Sequence, residues 1–159
     1  MSTHSYSRCW IHLTWATRRR EPILPKSAAV EVSGFLTDYA KGKGIYMAIN
    51  YVNPEHTHTL IDLPTGYSVE DVTKLLKGAS SHWINKNRII GTRFRWGRGY
   101  GAFSVSHSRL EAVARYIADQ EQHHRKRTFI DEYAKLMKAH GLEWNEQSLR
   151  GGLILKKNR

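Results

Sequence analysis

Apolar and polar residues alternate from Ser5 to Thr17, the two-residue period of a strand. Cys9, Ile11, Leu13 and Trp15 form one apolar face; Trp10, His12 and Thr14 form the other. From Lys26 to Lys43 the period lengthens: Val32, Phe35, Leu36 and Tyr39 recur at helical spacing, and Gly42 and Gly44 stop the helix. Ile45 to Val52 is a second β-prone run. Asn53-Pro54 turns it directly into a third, ending at Pro64, so the two runs form a hairpin. Ser68 pairs with Asp71 as an N-cap. The helix behind it carries Val72, Leu75, Leu76, Ala79 and Trp83 on one face, to about Asn87. Ala102 to Ser106 is a short fourth strand. Ser108, with Glu111 three positions on, opens a helix whose stripe is Leu110, Val113, Ala114 and Ile117. A last helix starts at Thr128, capped with Asp131, buries Phe129, Tyr133, Leu136 and Met137, and ends at Gly141.

The order β-α-β-β-α-β followed by two helices predicts an α+β, ferredoxin-like fold. Its antiparallel four-stranded sheet has two helices on one face, and the additional C-terminal helices follow. The third strand is central in that plan. No repeat, linker or low-complexity segment divides the chain, so residues 1–159 read as one domain, with 145–159 as a loosely held basic tail.

Charge narrows the function classes. Lys and Arg number 25 against 14 Asp and Glu, a net charge of +11, which points to a polyanionic partner. Cys9 is the only cysteine, which excludes an internal disulfide and a cysteine metal site and fits a reducing, cytoplasmic setting. No run is long enough to span a membrane. Arg18, Arg19 and Arg20 form a basic loop after the first strand. A second loop, Arg88 to Tyr100, interleaves Arg93, Arg95 and Arg98 with Phe94, Trp96 and Tyr100. These arginines, with Lys77 on the helix before them, are candidate nucleic-acid contacts. The bland alternatives are a solvated turn and aromatic loop anchors.

The third strand reads His56-Thr57-His58. Alternation puts both imidazoles on one face, where they can share a divalent ion, while Thr57, Thr59, Ile61 and Leu63 face the helices. Sixty residues later, Tyr116 and Gln120 lie four apart on one predicted helical face, with His124 continuing the line. Tyr116 offers a nucleophilic hydroxyl and Gln120 an amide oxygen for a metal. Taken alone, the first is a packing residue and the second a surface amide.

Taken together, these blocks resemble a known family. Besides His56-Thr57-His58 and the helix Tyr116 to His124, they include Lys77-Gly78-Ala79-Ser80-Ser81, the run Gly99 to Ser106, and Phe129-Ile130-Asp131-Glu132-Tyr133. The chain resembles, from about Ser5 to Trp144, the HUH-type single-tyrosine transposases of small bacterial insertion sequences and their repeat-associated relatives. The resemblance implies Tyr116 as the catalytic nucleophile and His56, His58 and Gln120 as ligands of Mg²⁺ or Mn²⁺. Thr57 stands where that family usually carries a bulky hydrophobe. It further implies cleavage and rejoining of single-stranded DNA through a 5′-phosphotyrosine, hairpin-bearing ends as substrate, and a homodimer able to exchange its tyrosine helices. Two other readings use the same residues: a domesticated relative nicking chromosomal hairpin repeats, and a non-catalytic single-strand nucleic-acid-binding module. A structural zinc site fits poorly, since two imidazoles and one amide are not its usual four ligands.

Overall fold

The computed structural model describes residues 5–143. Strand β1 (Trp10–Ala16) leads through a 3-10 turn at Arg18–Arg20 to helix α1 (Lys26–Gly42). Strands β2 (Tyr46–Val52) and β3 (His56–Asp62), helix α2 (Val69–Lys86) and strand β4 (Gly101–Val105) follow. A second 3-10 turn, His107–Arg109, then leads into α3 (Leu110–Ala118), α4 (Gln120–His124) and α5 (Phe129–Ala139). The expected tail at 145–159 lies outside the described residues. Among the described residues, no helix is long and apolar enough to cross a membrane.

The four strands form one antiparallel sheet in the order β2-β3-β1-β4, the α+β plan expected from the element order. Beneath it, Leu13 and Trp15 of β1 and Ile61 of β3 pack with Val32 and Leu36 of α1 and Leu76 and Ile84 of α2. Fully burying each such side chain is worth about 1.5–3 kcal/mol, so this layer is the main source of stability. The buried stripe of α2 is Val72, Thr73, Leu76, Ser80 and Ile84, rotated from the expected one. Leu75, Ala79 and Trp83 sit at its edge, where the Trp83 ring stacks on Phe35 at 4.8 Å.

Capping chemistry sets several boundaries. Ser68 and Asp71 form a reciprocal capping box at α2, and the Thr128 hydroxyl accepts the Asp131 N–H at α5. The expected cap at Ser108 does not form. That residue lies in the 3-10 turn with its hydroxyl against Ser106, and α3 starts after Arg109 without a side-chain cap. Burial carries that start instead: Ile117 packs with Trp10 and Leu60, flanked by Leu110, Val113 and Ala114.

The other sheet face is covered as well. Helix α3 lies against β2 and β3. Tyr133 and Met137 of α5 pack on Phe103 of β4. The histidine-bearing face of β3 is therefore the floor of a closed layer.

Candidate active site

The site grows from the β2–β3 hairpin. The Asn53 N–H donates to the His56 carbonyl (2.7 Å), which closes the turn at the mouth of β3. Strand alternation then aims His56 and His58 away from α1 and α2, and both are fully buried. Each ring is oriented from behind. His56 Nδ1 meets Glu55 Oε1 at 2.7 Å. His58 Nδ1 meets His12 Nε2 at 2.7 Å, an imidazole on β1 one step along the sheet. The Nε2 atoms of His56 and His58 stand 3.1 Å apart.

Helix α3 brings Tyr116 over this pair, its ring edge-on to His58 at 6.0 Å. The continuous helix expected through Gln120 is interrupted. Asp119, at φ −93 and ψ 18, ends α3 and begins α4. The break turns Gln120 inward, where it is fully buried. Its Oε1 accepts from Asn53 Nδ2 (3.2 Å) and lies 3.1 Å from His124 Nε2. Its Nε2 points the other way.

What it points at is Glu132 of α5, a residue the sequence reading passed over. Glu132 Oε1 accepts from the Tyr116 hydroxyl and from Gln120 Nε2 (3.1 Å), and stands 2.8 Å from His58 Nε2. Oε2 lies 2.8 Å from His124 Nε2 and 3.6 Å from His56 Nε2, but receives no well-directed hydrogen bond. A signal was present. Glu132 occupies the same helical stripe as Phe129, Tyr133 and Leu136, and a carboxylate on a buried stripe needs partners. Asn53, Glu55 and His12 were also missed; none belongs to a spaced motif, and only the fold brings them in.

Burial and neighbours set the charges. Burial, then His58, lowers His12 to about 3; burial lowers His58 to about 4 despite Glu132. Both are neutral near pH 7. For His56 the same desolvation is outweighed by Glu132 and Glu55, and its pKa rises. Burial would raise Glu132, but the imidazoles of His124, His56 and His58 gathered around it hold it far below the carboxylate range. Burial, reinforced by Glu132, pushes Tyr116 well above an ordinary phenol.

These donors fit a divalent cation. Asn53 Nδ2, 3.1 Å from His56 Nε2, can only donate there, so that nitrogen presents a lone pair. The ring proton of His56 is then on Nδ1, facing Glu55, the carboxylate–imidazole pairing that backs metal ligands. Two imidazole nitrogens and a carboxylate therefore converge on one small space, the set His56, His58 and Glu132.

The predicted basic residues gather nearby. The 3-10 turn holds Arg19 and Arg20 at positive φ (56 and 54), and Thr17 fixes it to the hairpin through its N–H to Glu55 O (2.8 Å). Arg18 N–H donates to Arg95 O (3.0 Å), and Arg18, Arg19, Arg93 and Arg95 line one hollow of about 320 Å³. Arg19 and Arg20 also line a groove of about 740 Å³ with Arg125, Lys126 and Arg127, a cluster the sequence reading did not single out. Arg127 in addition lines a hollow of about 350 Å³ that reaches Tyr116 and Glu132. Lys77 is half-buried, donating to the carbonyls of Gly97 (2.8 Å) and Gly99 (2.9 Å), and burial lowers its pKa. Arg98 is exposed and lines none of these hollows. Phe94 is fully buried and Trp96 Nε1 donates to Ser80 Oγ (2.9 Å), so these two aromatics anchor the loop.

Comparison with known proteins bears on this site. The family described as "Transposase IS200 like" matches residues 5–120. Among solved structures, a putative transposase from Deinococcus radiodurans superposes with a TM-score of 0.60 at 25% identity, covering 76% of this chain and 96% of that one. A REP-associated tyrosine transposase bound to a REP hairpin superposes with a TM-score of 0.55 at 16% identity, covering 78% of this chain and 74% of that one. Among curated proteins there is no match.

Proposed function

The chain belongs to the IS200-like transposase family, and from that premise we propose that it cuts and rejoins single-stranded DNA with Tyr116 as nucleophile. The observation that supports this most is the meeting of Tyr116 and His58 on one carboxylate. A nucleophile and a phosphate-activating site have to lie within one hydrogen-bonded cluster for such a reaction, and here they do.

Mg²⁺ or Mn²⁺, held by His56, His58 and an oxygen ligand such as that of Gln120, would polarise the scissile phosphate and stabilise its developing charge. The chain's own residues do the rest. Burial of His12 and His58 keeps both imidazoles neutral, as ligation requires. The Tyr116 oxygen attacks phosphorus in line; the phenolic proton passes to solvent, the bond to the 3′-oxygen breaks, and that oxygen takes a proton from solvent, so no net proton is consumed. The product is a 5′-phosphotyrosine beside a free 3′-hydroxyl, and its retained bond energy allows rejoining by the reverse reaction. Within one chain Tyr116 stands edge-on to His58 at 6.0 Å, and a homodimer exchanging its tyrosine helices would build the same pair from two chains.

The strand would lie along the groove of Arg19, Arg20, Arg125, Lys126 and Arg127, with Arg18, Arg93 and Arg95 extending it and Lys77 acting by holding the arginine loop. The REP hairpin in the superposed transposase supports hairpin-bearing DNA as the substrate here. A non-catalytic base-stacking module is disfavoured, because the sheet face such modules use lies beneath α3 and α5. The test is incubation with single-stranded hairpin DNA and Mg²⁺ or Mn²⁺, followed by denaturing electrophoresis. A denaturation-resistant adduct is expected from the wild type and none from Tyr116→Phe. Peptide mapping of the DNA to Tyr100 or Tyr133 would refute the assignment.

A further inference from the structure

We infer that Glu132, on a helix beyond the segment matched by the family, supplies the oxygen ligand of the metal and holds the nucleophile against it. The inference rests on the reading of His56 and His58 as metal ligands and assigns the third position differently.

Three distances carry it. Neighbouring ligands of an octahedral ion with bonds of 2.0–2.1 Å stand about 3 Å apart. The corresponding edges are 3.1 Å between the Nε2 atoms of His56 and His58, 2.8 Å from His58 Nε2 to Glu132 Oε1, and 3.6 Å from His56 Nε2 to Glu132 Oε2. They set the carboxylate against both imidazoles at about the spacing of such a shell, Oε1 beside His58 and Oε2 beside His56. Gln120 is differently committed: its oxygen is engaged by Asn53 and His124, and its amide nitrogen donates to Glu132 itself.

Charge points the same way. A dication held by buried imidazoles and an amide has only Glu55, behind His56, as a nearby counter-charge until a phosphate arrives, and under-compensated buried charge is costly. A carboxylate supplies that compensation before DNA binds and is the stronger ligand for a hard ion. The same Oε1 accepts the Tyr116 hydroxyl, so the nucleophile is positioned from the ligand. Gln120 then acts as a positioning residue whose amide orients Glu132.

The rival account makes Glu132 a structural acceptor that fastens α5 to Tyr116 and Gln120. Glu132→Gln separates the two, because an amide oxygen still accepts hydrogen bonds but no longer supplies the anion. The readout is Mn²⁺ affinity of the full chain without DNA, by calorimetry, alongside the rise in Tm that Mn²⁺ produces. Glu132→Gln should fold and lose at least the about 10- to 100-fold in affinity that disturbing even a ligand's supporting residue costs. Glu132→Asp should recover part of it, and Gln120→Ala should lose less than Glu132→Gln. If Glu132→Gln does not fold, Glu132→Ala decides, a wild-type Mn²⁺ affinity in that variant overturning the proposal. The inference also fails if Glu132→Gln binds Mn²⁺ as tightly as wild type while His56→Ala and His58→Ala bind weakly. If the histidine variants also bind as wild type, the metal reading itself is wrong.

Discussion

His12, His56 and His58 occupy one sheet face yet their pKa values shift in different directions, and this gives the metal-free protein a defined pH response. His12 and His58 are lowered to about 3 and about 4, so from pH 6.5 downward the unfolded chain binds protons that the folded chain refuses. Stability then rises with pH across about 4 to 6.5 and falls as pH drops through that window. His56, raised, runs the other way, one group against two. Glu132 is depressed, so it adds a loss only below the ordinary carboxylate range. The Tm of metal-free protein should therefore fall between pH 7 and 5, and His12→Gln should flatten the fall. A flat wild-type profile would contradict the neutral, buried state assigned to His12 and His58. At this scale the histidine pair was legible because strand alternation is a local rule. Glu132 was not, because its partners lie on β3, α3 and α4, and only their packing shows why a charge sits on an apolar stripe.

Helix α5 is held to the sheet by Tyr133 and Met137 against Phe103, and the approach is close because β4 begins with Gly101. A Cβ at Gly101 would meet the Tyr133 hydroxyl oxygen at 2.8 Å and its Cε2 at 3.0 Å, with Phe103 Cε2 also at 3.0 Å. Real Cβ atoms do not tolerate such contacts, so Gly101→Ala must displace Tyr133 and with it Glu132, the preceding residue. Overpacking of this kind costs about 1–3 kcal/mol. The expected result is a lower Tm, weaker Mn²⁺ binding and less adduct, although Gly101 touches no proposed ligand. Tyr133→Leu, which removes the ring carbon and the hydroxyl, should restore part of the loss in the double variant. Gly101→Ala with unchanged Tm and metal affinity would show that α5 is not seated through this contact. Elements themselves were largely legible: the hairpin, the Ser68 box and the Thr128 cap rest on neighbours in sequence. The break at Asp119 was not, because nothing in the local period forbids one helix from Leu110 to His124, and the turn serves to bury Gln120.

Basic clusters separated by some hundred residues become one surface in the folded molecule. Arg18 to Arg20 and Arg93 to Arg95 were visible as loops, but their meeting depends on the pairing of Thr17 with Trp96. Arg125 to Arg127 lie between the block Tyr116 to His124 and the block Phe129 to Tyr133, where no motif marks them. Arg127 is the one of these residues that lines both the long groove and the hollow reaching Tyr116, so a strand running from one to the other passes it. Arg98, exposed and outside every hollow described, shares the charge without the position. A purely global field would make the two arginines interchangeable; a defined path would not. Single-strand binding should weaken steeply with salt, with a slope near 0.7 per phosphate neutralised. Arg127→Gln should lower affinity and reduce that slope by about 0.7, the loss of one phosphate contact, and should slow adduct formation further. Arg98→Gln should change affinity little at the same salt. Fluorescence anisotropy of a labelled single strand over a salt series measures both. Equal effects of the two substitutions would leave only diffuse attraction and remove the groove as the route to Tyr116. A larger effect of Arg98→Gln would move the route to the far side of the arginine loop.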